Sequence, residues 1–369
     1  MENRKNILIC PLEWGLGHAA RMIPLASELL KLNHNVIFAS GEGHLSFIRK
    51  ELPECSCISF PGFNPRYSRF LPVYLSMLIR LPQLIFHIIS EHHRLNKIIP
   101  DHSIDIVISD NRFGLWNKKI ESVYVTHMLR IPFPKAFRFL EPIGVFLHRQ
   151  IIRKYDFCYI PDLPGIKNIS GRLSHGLKLP GNVRYTGFLS RFKYSAIPAE
   201  LSNGSAYNTA ILSGPEPQKE MLKKKLISIF RDKKPLTFIL EGKPHLKEEP
   251  LPDGNIIIYN HMPLSEMHGI ISGSDGIICR SGYTTIMDLI ILNTSALLVP
   301  TPGQTEQEYL AKYLSDQGMF SYISQRRISE KTEFPHKIKY DYSGLVKESS
   351  FLLGLALKEL LNKKHNETH

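Results

Sequence analysis

The chain has 369 residues, of which 43% are hydrophobic and 22% charged, with a formal net charge of +12 and a pI of about 9.3. This length accommodates two domains of ordinary size, and the composition excludes a disordered or fibrous protein. The positive charge favours anionic partners such as nucleotide diphosphates, acidic lipid head groups or nucleic acid, unless it only solvates the surface.

The five cysteines form no metal-binding pattern. Cys55 and Cys57 lack a second pair of ligands, and Cys10 and Cys279 lie in apolar runs where cysteine packs as a small hydrophobe. Residues 1–6 are polar and the next apolar run is short, which does not fit a signal peptide. No segment approaches the roughly 18–20 apolar residues that span a bilayer. We expect a cytoplasmic protein that binds no metal and does not cross a membrane.

The first half of the chain shows short apolar runs separated by helix-length segments. A buried strand is predicted at 7–10, followed by a glycine-containing turn at 14–18 and a helix with apolar residues at helical spacing. Further strands are predicted at 36–39, 104–109 and 122–126. Strand, helix and strand at this spacing predict parallel pairing through right-handed crossovers.

The same pattern starts again in the second half. Strands are predicted at 209–213, 236–240, 256–259, 276–279 and 296–299. The intervening stretch near 187–208 contains proline, glycine and several serines, which is typical of a linker. We therefore predict an α/β protein with Rossmann-like domains at 1–190 and 205–345, followed by a C-terminal helix and tail at 346–369.

The most specific signal lies where the predicted strand 276–279 ends at Ser281 and Gly282. Because the next predicted strand also ends in polar residues, these side chains share the sheet edge at which open α/β sheets bind ligands. The amino terminus of the helix after Gly282 suits a phosphate. Asp288, one turn further on, can reach a ribose hydroxyl. Side chains suited to a sugar follow the next strand: Gln304, Glu306, Gln307 and Glu308.

Residues 279–309, together with residues 15–24, resemble the GT-B glycosyltransferases of family 28. Relatives include the N-acetylglucosaminyltransferase that completes the lipid-linked peptidoglycan precursor and plant monogalactosyldiacylglycerol synthase. The resemblance implies a GT-B fold, in which two Rossmann-like domains face each other across a cleft and the C-terminal helix packs back on the first domain. It implies a UDP-sugar donor in the second domain, an acceptor in the first, and no cofactor. No Asp-x-Asp follows a predicted strand, so we expect a metal-free reaction.

On the acceptor side, Gly15, Gly17 and His18 belong to a match to the dinucleotide fingerprint G-x-G-x-x-A. The acid expected after the second strand is missing, which argues against a dinucleotide site. In family 28 a histidine in this loop is a candidate base, so the resemblance gives His18 that role. An imidazole, with an ordinary pKa of about 6.5, suits the task. A capping or structural histidine is the alternative.

Other acceptor-side candidates follow the predicted strand 104–109. Asp110 is the second candidate for the base, or it orients His18 or His127; a turn-forming aspartate is the alternative. Arg112 lies at the same strand end. Arg21 would face the same cleft and contact the diphosphate or an acidic acceptor.

On the donor side, the resemblance implies that Ser213 and Gly214 belong to a loop that approaches the diphosphate. It implies that Met262 contacts the uracil and that Arg191 neutralises charge on the leaving group. Arg191 is alternatively a surface residue of the linker. Asp288 replaces the family's usual glutamate and Glu308 replaces a glutamine. The donor set is Ser213, Gly214, Arg191, Met262, Arg280, Ser281, Gly282, Asp288, Gln304, Glu306, Gln307 and Glu308.

Two segments combine apolar and basic residues. Residues 72–97 fit a basic amphipathic helix that Pro82 kinks or splits, and residues 130–154 mix arginines and lysines with phenylalanines. Such surfaces suit an anionic membrane at the inner face of the cytoplasmic membrane, where a lipid-linked acceptor would dock; the alternative is a core helix pair with a wet basic edge. The aromatic residues match no nucleic-acid-reading module.

These observations predict an inverting transfer of a hexose or N-acetylhexosamine from a UDP-sugar to a separate acceptor. Two alternatives remain on the same fold. One is a nucleotide-sugar 2-epimerase, which needs no acceptor. The other is a non-catalytic UDP-sugar-binding subunit that recruits a partner enzyme to the membrane.

Overall fold

The computed structural model describes residues 4–63, 79–195, 206–214, 216–244, 246, 249–335 and 340–363. The chain divides into two compact units. The first consists of Met1–Leu189 together with Leu345–His369, and the second of Ser190–Gly344. Part of the predicted linker, at 196–205, lies outside the described residues.

The first unit contains a seven-stranded parallel sheet in the order β3-β2-β1-β4-β5-β6-β7. The central strands β1, β4, β5 and β6 are almost entirely buried, whereas β3 and β7 at the edges are half exposed. Continuous apolar runs such as Ile7 to Cys10 form the central strands because both sheet faces are covered. The strands are β1 Asn6–Cys10, β2 Asn35–Ser40, β3 Ser56–Ser59, β4 Ile106–Asp110, β5 Glu121–Val125, β6 Phe157–Ile160 and β7 Val183–Tyr185.

Four described helices connect these strands: α1 Leu16–Lys31, α2 Glu42–Glu51, α3 Leu81–Asp101 and α4 Glu141–Ile152. Pro82 lies in the first turn of α3, where a missing amide proton costs nothing. Ile79 is helical, Arg80 forms a turn and α3 starts anew at Leu81, so the helical segment is split next to Pro82 as predicted. Residues 72–78 of the predicted amphipathic segment lie outside the described residues.

The strand order of the first sheet reverses beside β1. From β1 the chain moves outward through β2 and β3, and then returns to place β4 on the other side of β1. The loops that follow β1 and β4 therefore leave the carboxyl edge of neighbouring strands toward opposite halves of the sheet. Such a switch point is where open α/β sheets bind ligands.

Another long helix, α9 (Ser343–Asn362), packs back on the first sheet. Tyr159 Oη of β6 donates to the carbonyl of Ala356 at 2.7 Å, and Arg184 of β7 pairs with both carboxylate oxygens of Glu359 at 2.6 and 2.7 Å. This position agrees with the GT-B arrangement.

The second unit contains a seven-stranded sheet in the order β10-β11-β9-β8-β12-β13-β14, parallel except for the pair of β10 and β11. Its switch point lies between β8 and β12, both fully buried. The strands are β8 Tyr207–Ile211, β9 Leu236–Leu240, β10 Leu251–Asp253, β11 Ile256–Tyr259, β12 Gly276–Cys279, β13 Leu297–Leu298 and β14 Ser321–Tyr322, and the helices are α5 Gln218–Phe230, α6 Leu264–Gly273, α7 Tyr283–Ile291 and α8 Thr305–Asp316.

Candidate functional site

The switch point of the first sheet places His18 and Asp110 together. Asp110 is the last residue of β4, and His18 lies in the first turn of α1, which follows β1. Gly15 makes the turn into α1 with φ of 114°, a conformation that side-chain-bearing residues rarely adopt. The amide of His18 donates to the carbonyl of Gly15 at 3.4 Å, which fixes the start of the helix.

Asp110 is fully buried and holds two partners. Its Oδ2 lies 2.9 Å from Nδ1 of His18 and accepts a hydrogen bond from Nε of Arg21 at 3.0 Å, while its Oδ1 pairs with Nη2 of Arg21. Burial raises the pKa of Asp110, but the charges of Arg21 and His18 outweigh burial and lower the pKa to about 2. Asp110 is therefore an ionised carboxylate at neutral pH.

The ionised state of Asp110 fixes the tautomer of His18. Burial lowers the pKa of His18 and Arg21 lowers it further, against the opposing effect of Asp110, so His18 is neutral at pH 7. A carboxylate only accepts hydrogen bonds, so Nδ1 of His18 carries the proton and donates it to Asp110. Nε2 then keeps its lone pair. The side chain of His18 is 18% exposed, so the imidazole is not fully enclosed.

The predicted roles of two arginines in the first unit are wrong. Arg21 is 1% exposed and donates to Asp110 and, at 3.0 Å, to Nδ1 of His127. It thus supports the His18–Asp110 pair and does not face a ligand. Arg112 is also buried, where it pairs with Glu91 at 2.9 Å and donates to two backbone carbonyls. It joins β4 to α3 and lines no acceptor surface.

Glu13, which sequence reasoning missed, ties together the loops that surround His18. Its Oε1 accepts hydrogen bonds from the amides of Gly41 and Gly62, each at 2.7 Å, and from Oγ of Ser40 at 3.3 Å. Ser40 ends β2, Gly41 follows it and Gly62 follows β3, whereas Glu13 follows β1. Its position three residues after the first strand was the only signal in the sequence.

The second switch point gathers the predicted phosphate loops. Gly214, with φ of 96°, follows β8, and Gly282 precedes α7. A Cβ built on Gly282 would lie 3.7 Å from Oγ of Ser213, and one built on Gly214 would lie 3.6 Å from Oγ1 of Thr301. The loops after β8, β12 and β13 therefore converge at the amino terminus of α7, where free amides favour an anion.

Two other predicted donor residues near this edge, Ser281 and Arg280, are buried. Ser281 is fully buried and donates to the carbonyl of Gln307 at 2.8 Å. Arg280 is fully buried, and its guanidinium donates to the carbonyls of Val299, Pro300 and Gln218. The prediction that the Arg280 side chain contacts the donor is wrong, because it is enclosed by the backbone that it supports.

Asp288 and the residues of α8 also have partners within the second unit. Oδ1 of Asp288 accepts from Oγ of Ser190 at 2.6 Å. Oε1 of Gln307 accepts from the amide of Thr301 at 2.9 Å, and Oε1 of Glu308 from the amide of Gly303 at 3.1 Å.

The side chains of Gln307 and Glu308 thereby fix the loop between β13 and α8. Gln304 and Glu306 lie half-buried at the start of the same helix.

Two predicted donor residues lie at the margin of this edge. Met262 is 4% exposed, so the uracil of a donor would contact mainly its backbone. Nη2 of Arg191 lies 3.1 Å from Sδ of Met267, and its guanidinium lies over the ring of Phe192 at 5.4 Å.

A lysine cluster, absent from the predicted site, surrounds Glu241 directly after β9. The Glu241 carboxylate pairs with Lys243 at 2.7 Å and with Lys223 at 3.1 Å, and its carbonyl lies 3.5 Å from Nζ of Lys219. Burial raises the pKa of Glu241, but the two paired lysines outweigh burial and lower it. Among the described residues no group of three histidine, cysteine, aspartate or glutamate side chains is arranged to hold a metal ion.

The first unit also exposes an apolar surface on α3 and on residues 131–147. Only Glu91 and Leu95 of α3 are buried. No described helix is long and apolar enough to cross a bilayer. The exposed apolar side chains are Leu81, Ile85, Phe86, Ile89, Ile131, Phe137, Phe139, Ile143, Phe146 and Leu147.

Comparison with known proteins finds glycosyltransferases. Residues 206–350 match the glycosyltransferase family 28 C-terminal domain. The chain is 24% identical over 333 residues to an uncharacterized glycosyltransferase of Methanosarcina acetivorans, covering 84% of this chain and 83% of that protein. Over 95 residues it is 38% identical to the UDP-N-acetylglucosamine–N-acetylmuramyl-(pentapeptide) pyrophosphoryl-undecaprenol N-acetylglucosamine transferase of Desulforudis audaxviator, covering 25% of this chain and 24% of that one.

Solved structures support the fold. The glycotransferase of kitacinnamycin superposes with a TM-score of 0.66 at 12% identity, covering 98% of this chain and 100% of that one. MurG of Acinetobacter baumannii superposes with a TM-score of 0.51 at 14% identity, covering 99% and 96%. Two predominantly parallel sheets, each with a switch point, agree with these neighbours. The chain thus has the GT-B fold and resembles glycosyltransferases along most of its length, and residues 206–350 match the C-terminal domain of family 28.

Proposed function

We propose that the protein transfers a hexose or N-acetylhexosamine from a UDP-sugar to a hydroxyl group of a glycan or lipid-linked acceptor, with inversion and without a metal ion. The observation that carries this proposal is the His18–Asp110 pair, in which a buried carboxylate orients a partly exposed imidazole at 2.9 Å. A pair of this kind is suited to removing a proton from an alcohol.

The first step follows from the protonation states. Nε2 of His18 accepts the proton of the acceptor hydroxyl as its oxygen attacks the anomeric carbon. The imidazolium that forms is stabilised by Asp110, which stays ionised and takes no proton. The pKa of about 2 and the burial of the Asp110 carboxylate support His18, of the two candidates, as the base.

The departing diphosphate is the second group that needs stabilisation. The amino terminus of α7, behind Gly282, and the loop Ser213-Gly214 present backbone amides and small side chains at one edge of the sheet. Oriented amides stabilise developing negative charge without a metal ion. Support for UDP comes from the named donor of the Desulforudis relative. A single displacement of this kind inverts the anomeric centre.

Asp288 is the proposed ribose contact, with Ser190 holding its carboxylate in place at 2.6 Å. Glu306, Gln307 and Glu308 are the proposed contacts to the donor sugar. Since Gln307 and Glu308 already hold the loop before α8, they would read the sugar with the polar atoms that remain.

The acceptor partner follows from the exposed surface of the first unit. Phe86 and Phe139 are each 73% exposed, and Arg138 nearby in the sequence is 62% exposed. Exposed phenylalanines beside cations suit the interface of an anionic membrane. We propose peripheral attachment at the cytoplasmic face of the membrane, where a lipid-linked acceptor would be presented.

A nucleotide-sugar panel in a thermal unfolding assay tests the proposal. A donor at 100 times its Kd adds about 2.7 kcal/mol, which raises the melting temperature by roughly 5–10 °C for a domain of this size. His18→Ala should keep that stabilisation and lose transfer. Proton NMR of the product reports the anomeric configuration, and EDTA should leave the rate unchanged. The proposal fails if no UDP-sugar stabilises the protein or if His18→Ala transfers sugar at the wild-type rate.

A further inference from the structure

Trp14 is held in one orientation while part of its ring remains open. Its indole Nε1 donates to the carbonyl of Phe63 at 2.9 Å, yet the side chain is 37% exposed. A tryptophan whose polar atom is satisfied inside the protein presents only its apolar ring to a ligand. Trp14 also directly precedes Gly15, whose carbonyl accepts from the amide of His18.

The backbone around this ring leaves room for a ligand. A Cβ built on Gly15 or on Gly43 meets no atom within 4 Å in the part of the chain that the structure describes. Gly15 lies two residues after Glu13, and Gly43 lies two residues after Gly41, whose amide donates to Glu13. His44 hydrogen-bonds the carbonyl of Gly15. Trp14, the open Gly15 and His18 thus lie on one short loop, with His44 bonded to its backbone.

From this arrangement we infer that Trp14 is the platform of an acceptor subsite that binds a pyranoside ring, with the reacting hydroxyl directed at His18. A pyranose has an apolar face of C–H groups that packs against the electron-rich face of an indole, and hydroxyls at its edge that bond to polar groups. The fixed indole and the neighbouring histidines offer both features together. The inference rests on the proposed function only for the identity of the transferred group; the binding itself does not depend on it.

Intrinsic fluorescence tests the binding directly, because the chain contains two tryptophans. Trp116 stacks on His92 with ring centroids 4.3 Å apart, so Trp116→Phe preserves an aromatic stack and leaves Trp14 as the sole indole. This variant is titrated with methyl pyranosides, phenol and n-butanol. We expect a saturable change in emission with at least one pyranoside. No saturable change with any pyranoside, or saturation by phenol or butanol alone, would overturn the assignment.

A kinetic experiment with the bound pyranoside as acceptor separates this inference from the proposed function. Trp14→Ala should raise the acceptor KM by roughly tenfold and leave the donor KM unchanged, while Trp14→Phe restores most of the affinity. An unchanged acceptor KM in Trp14→Ala overturns the subsite. If titration saturates but no UDP-sugar supports transfer, the subsite stands and the proposed function fails. Donor-induced thermal stabilisation of Trp14→Ala verifies that the variant is folded.

Discussion

Replacement of Asp110 by asparagine tests the orienting role of this carboxylate while preserving its shape. The pKa of Asp110 falls from 3.8 to about 2 on folding, which corresponds to about 2 kcal/mol of preferential stabilisation of the charged form. Asparagine removes that charge and leaves Arg21 buried without its ion pair. Its amide can also donate to Nδ1 of His18 and stabilise the tautomer that has no lone pair on Nε2.

We expect Asp110→Asn to lower kcat by about 10²–10⁴-fold, the range for general-base catalysis and for loss of an orienting aspartate. The loss of a buried partner should lower the free energy of unfolding by about 3–5 kcal/mol. Residual activity should persist to lower pH, because Asp110 is the main group that raises the pKa of His18. The assay is release of UDP as a function of pH, at a temperature where urea unfolding shows the variant to be folded.

Asp162→Asn is a matched control. Asp162 is also fully buried, follows a strand of the same sheet, and lies 3.2 Å from Nε2 of His175. Its replacement should cost stability without changing the acid limb of the rate profile. A kcat for Asp110→Asn within threefold of wild type, or an equal kinetic loss in Asp162→Asn, would refute the reasoning.

Three further predictions concern other parts of the molecule. The pKa of His18 lies below 6.5 and the proposed base is the neutral imidazole, so kcat/KM should fall only below pH 6.5. An acid limb of the kcat/KM profile with its midpoint above pH 7 would contradict this. Glu91→Gln, which leaves Arg112 buried without its partner, should lower the free energy of unfolding by about 3–5 kcal/mol in urea, whereas Glu42→Gln at an exposed pair should leave the urea midpoint unchanged. Asp288→Asn should weaken UDP binding about tenfold in a thermal shift titration, and full retention of affinity would remove Asp288 from the ribose site.

The arrangement of strands was largely predictable because the central strands are continuous apolar runs. The predicted strand 7–10 lies within β1, and the predictions 256–259 and 276–279 match β11 and β12. The strands β3, β7, β10 and β14 were not predicted, since edge strands are short and half exposed and carry little periodicity. The buried run Phe157–Ile160 was a detectable signal that was overlooked.

The site was predictable in its residue types and in one of its pairings. The sequence offered Asp110 as a partner of His18 or His127, and the strand order that brings β1 beside β4 places it against His18. The burial of Arg21, Arg112 and Arg280 could not be read from the sequence, because arginine is usually exposed and its partners lie far along the chain.

The contacts of Glu13 have a consequence for engineering acceptor preference. One carboxylate oxygen holds the amides of Gly41 and Gly62, so segments far apart in the sequence form a single frame beside the loop that carries His18. Grafting one of these segments from a relative would break the frame, however well its own residues suited the new substrate. Exchanges that alter specificity should therefore transplant the glutamate and both glycine-bearing turns as a set.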